Sequence, residues 1–156
     1  MHIRLIAIGD RQPSWVDSAF AEYAGRLPRQ WQFRLQEIAT VQRNKGAVKN
    51  AAKEVEGAKI LAQTKAAELV IVLDERGRQF TSRELAGKID DWQTVGQDIV
   101  FVIGGPDGVA ADVLQRANLT WSLSKLTLPH GLARVLFAEQ IYRAWSLLSG
   151  HPYHRD

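Results

Sequence analysis

The chain contains no cysteine. That absence excludes a disulfide framework, a cysteine-ligated zinc and a thiol nucleophile. No window approaches the roughly 18 apolar residues that a membrane-spanning helix needs. The opening MHIRLIAIGD has too short an apolar run for a secretory signal and reads as a first strand, so a cytoplasmic location is expected. Gly104, Gly105 and Gly108 do not fit G-x-G-x-x-G, and G-x-x-x-x-G-K-S/T is also missing, which removes the dinucleotide fingerprint and the phosphate loop. Ser122, Ser124 and Thr127 have no G-x-S-x-G elbow around them and read as hydrogen-bond partners in a loop rather than nucleophiles. His151 and His154 have no carboxylate cluster beside them, so no metal site is expected there. Internal repeats, low-complexity tracts and linkers are also missing.

What remains is an ordinary globular composition, 46% hydrophobic and 24% charged over 156 residues, enough for one domain to bury its own core. A net charge of +3 and a pI near 9.4 permit nucleic acid as a partner without requiring it. Ile3 to Ile8 reads as a strand closed by Gly9-Asp10. Pro13-Ser14 opens a helix whose apolar positions are Trp15, Ala19, Phe20, Tyr23 and Leu27, ended by Pro28. Trp31, Phe33 and Leu35 alternate with polar residues as a half-buried strand does. The polar segment Gln42 to Gly46 leads into a lysine-studded helix predicted over Ala47 to Ala66, whose lysines read most simply as a solvated face. Leu69 to Leu73 is a strand apolar on both faces, followed by a turn at Glu75 to Arg78. Thr81 and Glu84 have the spacing of a capping box for a helix ending near Gly96. Ile99 to Ile103 is a further buried strand, with a short helix from Ala110 to Ala117 after it. Strands alternating with helices predict an α/β fold with a parallel, doubly wound sheet.

The stretch from Phe101 onward is where chemistry concentrates. The strand ending at Ile103 stops at Gly104-Gly105-Pro106, where adjacent glycines allow a ligand to approach the backbone closely. A second apolar, hydroxyl-rich stretch, Leu119 to Leu128, ends at Pro129 and feeds a long helix. Loops at the carboxyl ends of strands are where open α/β sheets bind ligands. On that last helix Leu132, Val135, Leu136, Tyr142, Trp145 and Leu148 form an apolar stripe that is core or subunit interface, and Glu139 and Arg143 have ion-pair spacing. The tail HPYHRD would ordinarily be disordered, yet it carries two imidazoles, a phenol and a guanidinium. Tyr can stack on a base, Arg can bind phosphate and His can carry a proton.

Five stretches in order carry a resemblance: VLDERG at 72–77, FVIGGPDG at 101–108, SLSKLTLPH at 122–130, ARVLFAEQIYRAW at 133–145 and PYHR at 152–155. Together they resemble bacterial SPOUT-superfamily methyltransferases that modify N3 of a pseudouridine in 23S rRNA. The likeness spans essentially the whole chain; Gly131 departs from the pattern and predicts a looser start to the last helix. The resemblance implies a single-domain parallel-sheet α/β knot with a C-terminal trefoil, a homodimer, S-adenosylmethionine as cofactor, and rRNA on the ribosome as partner, with no metal and no membrane. By the family's motifs the cofactor would lie against Leu73, Gly104, Gly105, Leu123, Ser124, Lys125, Leu126, Thr127 and Leu128. Tyr153, His154 and Arg155, with Arg143 nearby, would reach the target nucleotide across the dimer interface. His154 would take or relay the N3 proton, while Tyr153 and Arg155 position base and phosphate. His130 is a second candidate for the proton, though a loop-to-helix hydrogen bond is its simpler reading. Arg43, Lys45, Lys49, Lys53, Arg76 and Arg78 are candidates for RNA phosphates. Three rivals remain: a non-catalytic RNA-binding module on the same fold, a SPOUT enzyme for another RNA, and a flavodoxin-like nucleotide-binding regulator.

Overall fold

Short apolar runs in this chain become parallel strands because the segments between them are long enough to cross over as helices. In the computed structural model, which describes residues 1–46, 48 and 50–155, the order is β1 (Ile3–Ile8), α1 (Ser14–Ala24), β2 (Arg34–Ile38), α2 (Ala51–Ala62), β3 (Leu69–Gln79), α3 (Ser82–Val95), β4 (Ile99–Ile103), α4 (Ala111–Arg116), β5 (Leu119–Ser122) and α5 (His130–Ser149). Among the described residues the strands form one five-stranded, all-parallel sheet in the order β2-β1-β4-β3-β5. The expected α/β architecture is therefore present.

Alternation within the strands sorts the core into two layers. Leu5, Ile71, Phe101 and Ile103 face α1, α3 and α5, where Phe137 packs edge-on to Phe101 at 4.9 Å. Ile6, Val70, Val100 and Val102 face α2 and α4 through Ile60 and Val113. Every residue of β4 is buried, as a central parallel strand requires. Burial of each such side chain contributes about 1.5–3 kcal/mol. On α3 the Thr81 hydroxyl accepts from the Glu84 N–H, and the Glu84 carboxylate accepts from the Thr81 N–H, completing the predicted capping box.

Several local expectations need correction. β2 begins only at Arg34: Trp31 sits in a 3-10 turn (Arg29–Trp31), donates its indole N–H to Gln93, and is followed by Gln32 in the left-handed region at φ 44°. Trp15 lies 54% exposed, while its neighbour Val16 provides the buried contact of α1. The second helix runs over Ala51–Ala62 rather than to Ala66, because the Thr64 hydroxyl bonds back to the Leu61 carbonyl and the Glu68 carboxylate takes the Lys65 N–H. Its expected first turn includes Ala47 and Lys49, which lie outside the described residues. The segment Glu75 to Arg78 is no simple turn. β3 continues through it to Gln79 with an irregularity, pairing β5 at Leu73–Trp121 and again at Arg78–Trp121. Gly77 makes this possible, since a Cβ there would stand 2.7 Å from the Thr120 backbone.

At Gly131 the last helix has already begun, and a Cβ would meet Val16 at 2.8 Å, so this glycine permits close packing of α5 on α1. The tail is ordered: Pro152–His154 form a 3-10 turn lying against α5. The apolar stripe expected on α5 is only partly core. Tyr142 is buried with Phe137, Ala138, Ile141 and Ala144, whereas Leu132 and Leu148 are 44% and 39% exposed.

Candidate active site

The irregular middle of β3 and the loops that follow β4 and β5 enclose a cavity of about 640 Å³. Its floor is a tight turn built from Gly104 to Gly108. Gly108 donates its N–H to the Gly105 carbonyl at 3.0 Å, with its own φ at +83°. A Cβ on Gly104 would lie 2.6 Å from the Gly108 carbonyl oxygen, so no other residue fits without shifting the turn. The opposite wall is the loop after β5. There the Ser122 hydroxyl donates to the Ser124 carbonyl, and the Ser124 hydroxyl accepts from the Leu126 N–H, which fixes the loop's path. These hydroxyls hold the loop, as their sequence context suggested.

Eight of the nine expected cofactor residues come together around this cavity: Leu73, Gly104, Gly105, Leu123, Ser124, Leu126, Thr127 and Leu128. Lys125 is on the same loop but exposed and outside the lining. The third side was not read from the sequence as a wall at all. Asp74, Glu75 and Arg76 reach the cavity because β3 bulges between its two pairings with β5. Arg76 bonds back to Asp74, which holds that carboxyl below the usual carboxylate range. Thr127 donates to Glu75 at 3.1 Å, tying the two walls together. The alternation of Ile103, Leu73 and Leu128 with main-chain groups gives the cavity apolar faces and polar edges, the usual make-up of a small-molecule site.

The start of α5 closes the cavity, and its polar side chains are tied to the frame, although the buried Arg134 Nε has no hydrogen-bond partner. His130 has Nδ1 2.9 Å from the Gly104 carbonyl oxygen and Nε2 3.1 Å from the Arg134 guanidinium. A carbonyl only accepts and a guanidinium only donates, so the ring is neutral with its proton on Nδ1. Burial, then the neighbouring Arg134, holds the imidazole below its usual pKa. Both ring nitrogens are used, which leaves the loop-to-helix hydrogen bond as the role of His130. Arg134 is 0% exposed and also donates to Glu37 at 2.7 Å and to the Gly9 carbonyl at 2.9 Å. Sequence reading missed it, since a cation inside ARVLF looks like the polar face of a helix.

The tail groups assemble elsewhere. Glu139 accepts from Arg143 at 2.6 Å and from the Tyr153 hydroxyl at 2.9 Å, while the Arg143 guanidinium lies 5.0 Å over the Tyr153 ring. Burial, then the bond to Glu139, raises the Tyr153 phenol well above its ordinary pKa, so at neutral pH it donates and does not act as a base. His154 Nδ1 is 3.3 Å from the Ser146 hydroxyl, whose proton goes to the Arg143 carbonyl at 2.7 Å. In the neutral ring this puts the proton on Nδ1 and the lone pair on Nε2. Glu139 follows His130 by nine positions of α5, about 14 Å of helix. The tail cluster and the cavity of the same chain are thus separate groups. The ion pair Glu139–Arg143 does more than brace the helix, because it seats the tail.

Of the expected phosphate contacts, Arg43 is bonded to Glu56 and Asp107 and Arg76 to Asp74. Arg78 stacks over Phe80 at 5.2 Å, Lys45 is exposed and Lys53 half-buried. Lys49 lies outside the described residues. Among the described residues no group of three or more His, Asp or Glu side chains converges as a metal site, and no helix is long and apolar enough to cross a membrane.

Comparison with known proteins agrees with this architecture. The chain is 51% identical over its whole length, and over the whole of the relative, to the ribosomal RNA large subunit methyltransferase H of Thioalkalivibrio sulfidiphilus. It is 48% identical, again with complete coverage of both chains, to the protein of the same name from Laribacter hongkongensis. Among solved structures, a probable methylase family protein from Haemophilus influenzae superposes with a TM-score of 0.57 at 16% identity, covering 99% of this chain and 70% of that one. A ribosomal RNA small subunit methyltransferase E from Neisseria gonorrhoeae, bound to S-adenosylmethionine, gives 0.55 at 14% identity over 95% of this chain and 66% of that one. Residues 1–154 match the family described as "Predicted SPOUT methyltransferase", and the chain belongs to that family.

Proposed function

We propose that this protein is an S-adenosylmethionine-dependent ribosomal RNA methyltransferase acting at N3 of a pseudouridine in 23S rRNA. The observation that carries the reading is the cavity beside the irregular part of β3 and the ends of β4 and β5, walled by bare backbone at Gly104-Gly105 and by the loop 123–128. It stands in a chain about half identical to large-subunit rRNA methyltransferases over their full length. The residues present suit the cofactor. Main-chain amides and carbonyls at 104–105 and 123–128 meet the polar edge of an adenine, and Leu73, Ile103 and Leu128 offer apolar contact to its faces.

The bound cofactor supplies a methyl group already activated on a sulfonium. The chain's own contribution is placement and proton handling. His130, neutral and pinned to the Gly104 carbonyl, holds the floor of the cavity. His154 offers the Nε2 lone pair to the N3 proton, Tyr153 donates a hydrogen bond, and Arg155 with Arg143 meets phosphate. Because the tail cluster sits about 14 Å along α5 from the cavity of its own chain, the tail of one protomer serves the cavity of another in a homodimer. The half-exposed Trp15, Leu132 and Leu148 supply apolar surface for that association. The family's C-terminal trefoil knot and a cytoplasmic setting on the ribosome belong to the same reading.

The test is incubation with methyl-labelled S-adenosylmethionine and ribosomes from a strain lacking this activity, followed by mass spectrometry of the nucleosides. Label on N3 of one pseudouridine in 23S rRNA is expected. Label on another nucleoside or another RNA would reassign the substrate, and no label would leave an RNA-binding module.

A further inference from the structure

Arg43 stands in a polar, basic segment where it reads as a candidate for RNA phosphate, yet all three of its guanidinium nitrogens donate to groups of the chain itself. Nη1 and Nη2 donate to the two oxygens of Glu56 at 2.7 and 2.8 Å. Nη1 also donates to the Val41 carbonyl at 2.7 Å, and Nε donates to Asp107 at 2.9 Å. Glu56 is 2% exposed, and its remaining contact is the Val41 N–H at 3.0 Å. A buried carboxylate without its cation costs several kcal/mol, so this pair is obligatory rather than incidental.

The clamp touches the cavity at two points. Asp107 is part of the cavity lining. At Gly105, a Cβ would stand 2.9 Å from Glu56 Oε1 and 2.9 Å from Ile8, so the floor of the cavity rests on the Glu56 carboxylate itself. Glu56, more than Asp107, also raises the pKa of Arg43, so the cation persists at any working pH.

We infer that Arg43 is a positioning residue for the cofactor cavity: clamped between Glu56 and Asp107, it fixes the Gly104–Gly108 turn and does not serve as a phosphate contact. The inference rests on the reading of the cavity as an S-adenosylmethionine site. It separates the two roles by geometry. A phosphate contact needs only a positive charge, which lysine preserves. A clamp that spans two carboxylates in fixed directions needs the planar fork, and one ammonium cannot replace three nitrogens.

The experiment compares the unaltered protein with Arg43→Lys and Arg43→Ala, by calorimetric titration with S-adenosylmethionine and by ribosome binding across a salt series, with circular dichroism to confirm folding. Both variants are expected to bind S-adenosylmethionine about tenfold more weakly, with the salt slope of ribosome binding unchanged. Asp107→Asn, which leaves the buried pair intact, should give a smaller loss in the same direction. Wild-type cofactor affinity in Arg43→Lys overturns the clamp. So does a salt slope that drops in Arg43→Ala by roughly the 0.7–0.9 of one phosphate contact and is restored in Arg43→Lys. If Arg43→Ala does not fold, the lysine variant decides alone. Failure of the unaltered protein to bind S-adenosylmethionine overturns the cavity reading, and this inference with it.

Discussion

The two ends of α5 solve different problems. At its start, His130 and Arg134 are spent on structure: one pins the Gly104 carbonyl, the other joins β1, β2 and the helix from a fully buried position. The ligand-facing surface there is mostly main chain. Farther along, Glu139 gathers Arg143 and Tyr153 on a half-exposed surface, and the buried Ser146 meets His154. On the proposed function, the buried frame would define where the cofactor sits, and the tail side chains would supply the groups for proton and phosphate. Damage at the first end should show as lost affinity and stability. At the second it should show as lost turnover in a protein that folds normally.

His154→Ala gives the sharpest contrast. Turnover on ribosomes should fall about a hundredfold or more, with calorimetric affinity for S-adenosylmethionine and melting temperature close to wild type. Unchanged turnover would remove His154 from the chemistry. Arg134→Ala probes the opposite end: it leaves the Gly9 carbonyl and Glu37 without their donor and opens a cavity in the core, and should cost about 2–5 kcal/mol in urea unfolding. A loss near zero would show that the buried frame is dispensable. Gly104→Ala pushes a methyl against the Gly108 carbonyl and Val109. Cofactor affinity should drop about tenfold, near 1.4 kcal/mol, while the tail cluster is untouched; equal affinity would mean that the turn yields freely.

The smallest effect concerns pH. The folded pKa of His130 is depressed, so the unfolded chain binds the proton first as pH falls. The stability this ring contributes is complete above its unfolded pKa of about 6.5 and is lost as pH falls through the lower folded value. Melting temperatures of the wild type should therefore slope downward below about pH 6.5, and His130→Asn should flatten that slope. An identical slope in the variant would shift the cause to another group.

Much of this could be read in the chain itself, for reasons tied to particular residues. The apolar run of β4 breaking into Gly104-Gly105 announces a strand end with exposed backbone, and Thr81 with Glu84 announces a helix start. These are local signals, carried by neighbours in sequence. Arg43 escaped because its partners are 13 and 64 positions away. Arg134 escaped because burial of a cation depends on Glu37 and Gly9, brought together only by the folded sheet. The order of the tail was hidden for a related reason: Tyr153 packs on Tyr142 at 4.6 Å, a contact that only the 3-10 turn creates.

The broken pairing of β3 with β5 has a consequence for how such a pocket diversifies. Residues 74–76 hang from a strand that is stitched to its neighbour on both sides of them, at Leu73 and again at Arg78. Their side chains line the cavity without taking part in the ladder, so exchanging them alters what is recognised and leaves the sheet standing. Gly77 has no such freedom, because a single methyl group there would push into the backbone of β5. The fold thus keeps a replaceable panel beside a permanent hinge pin.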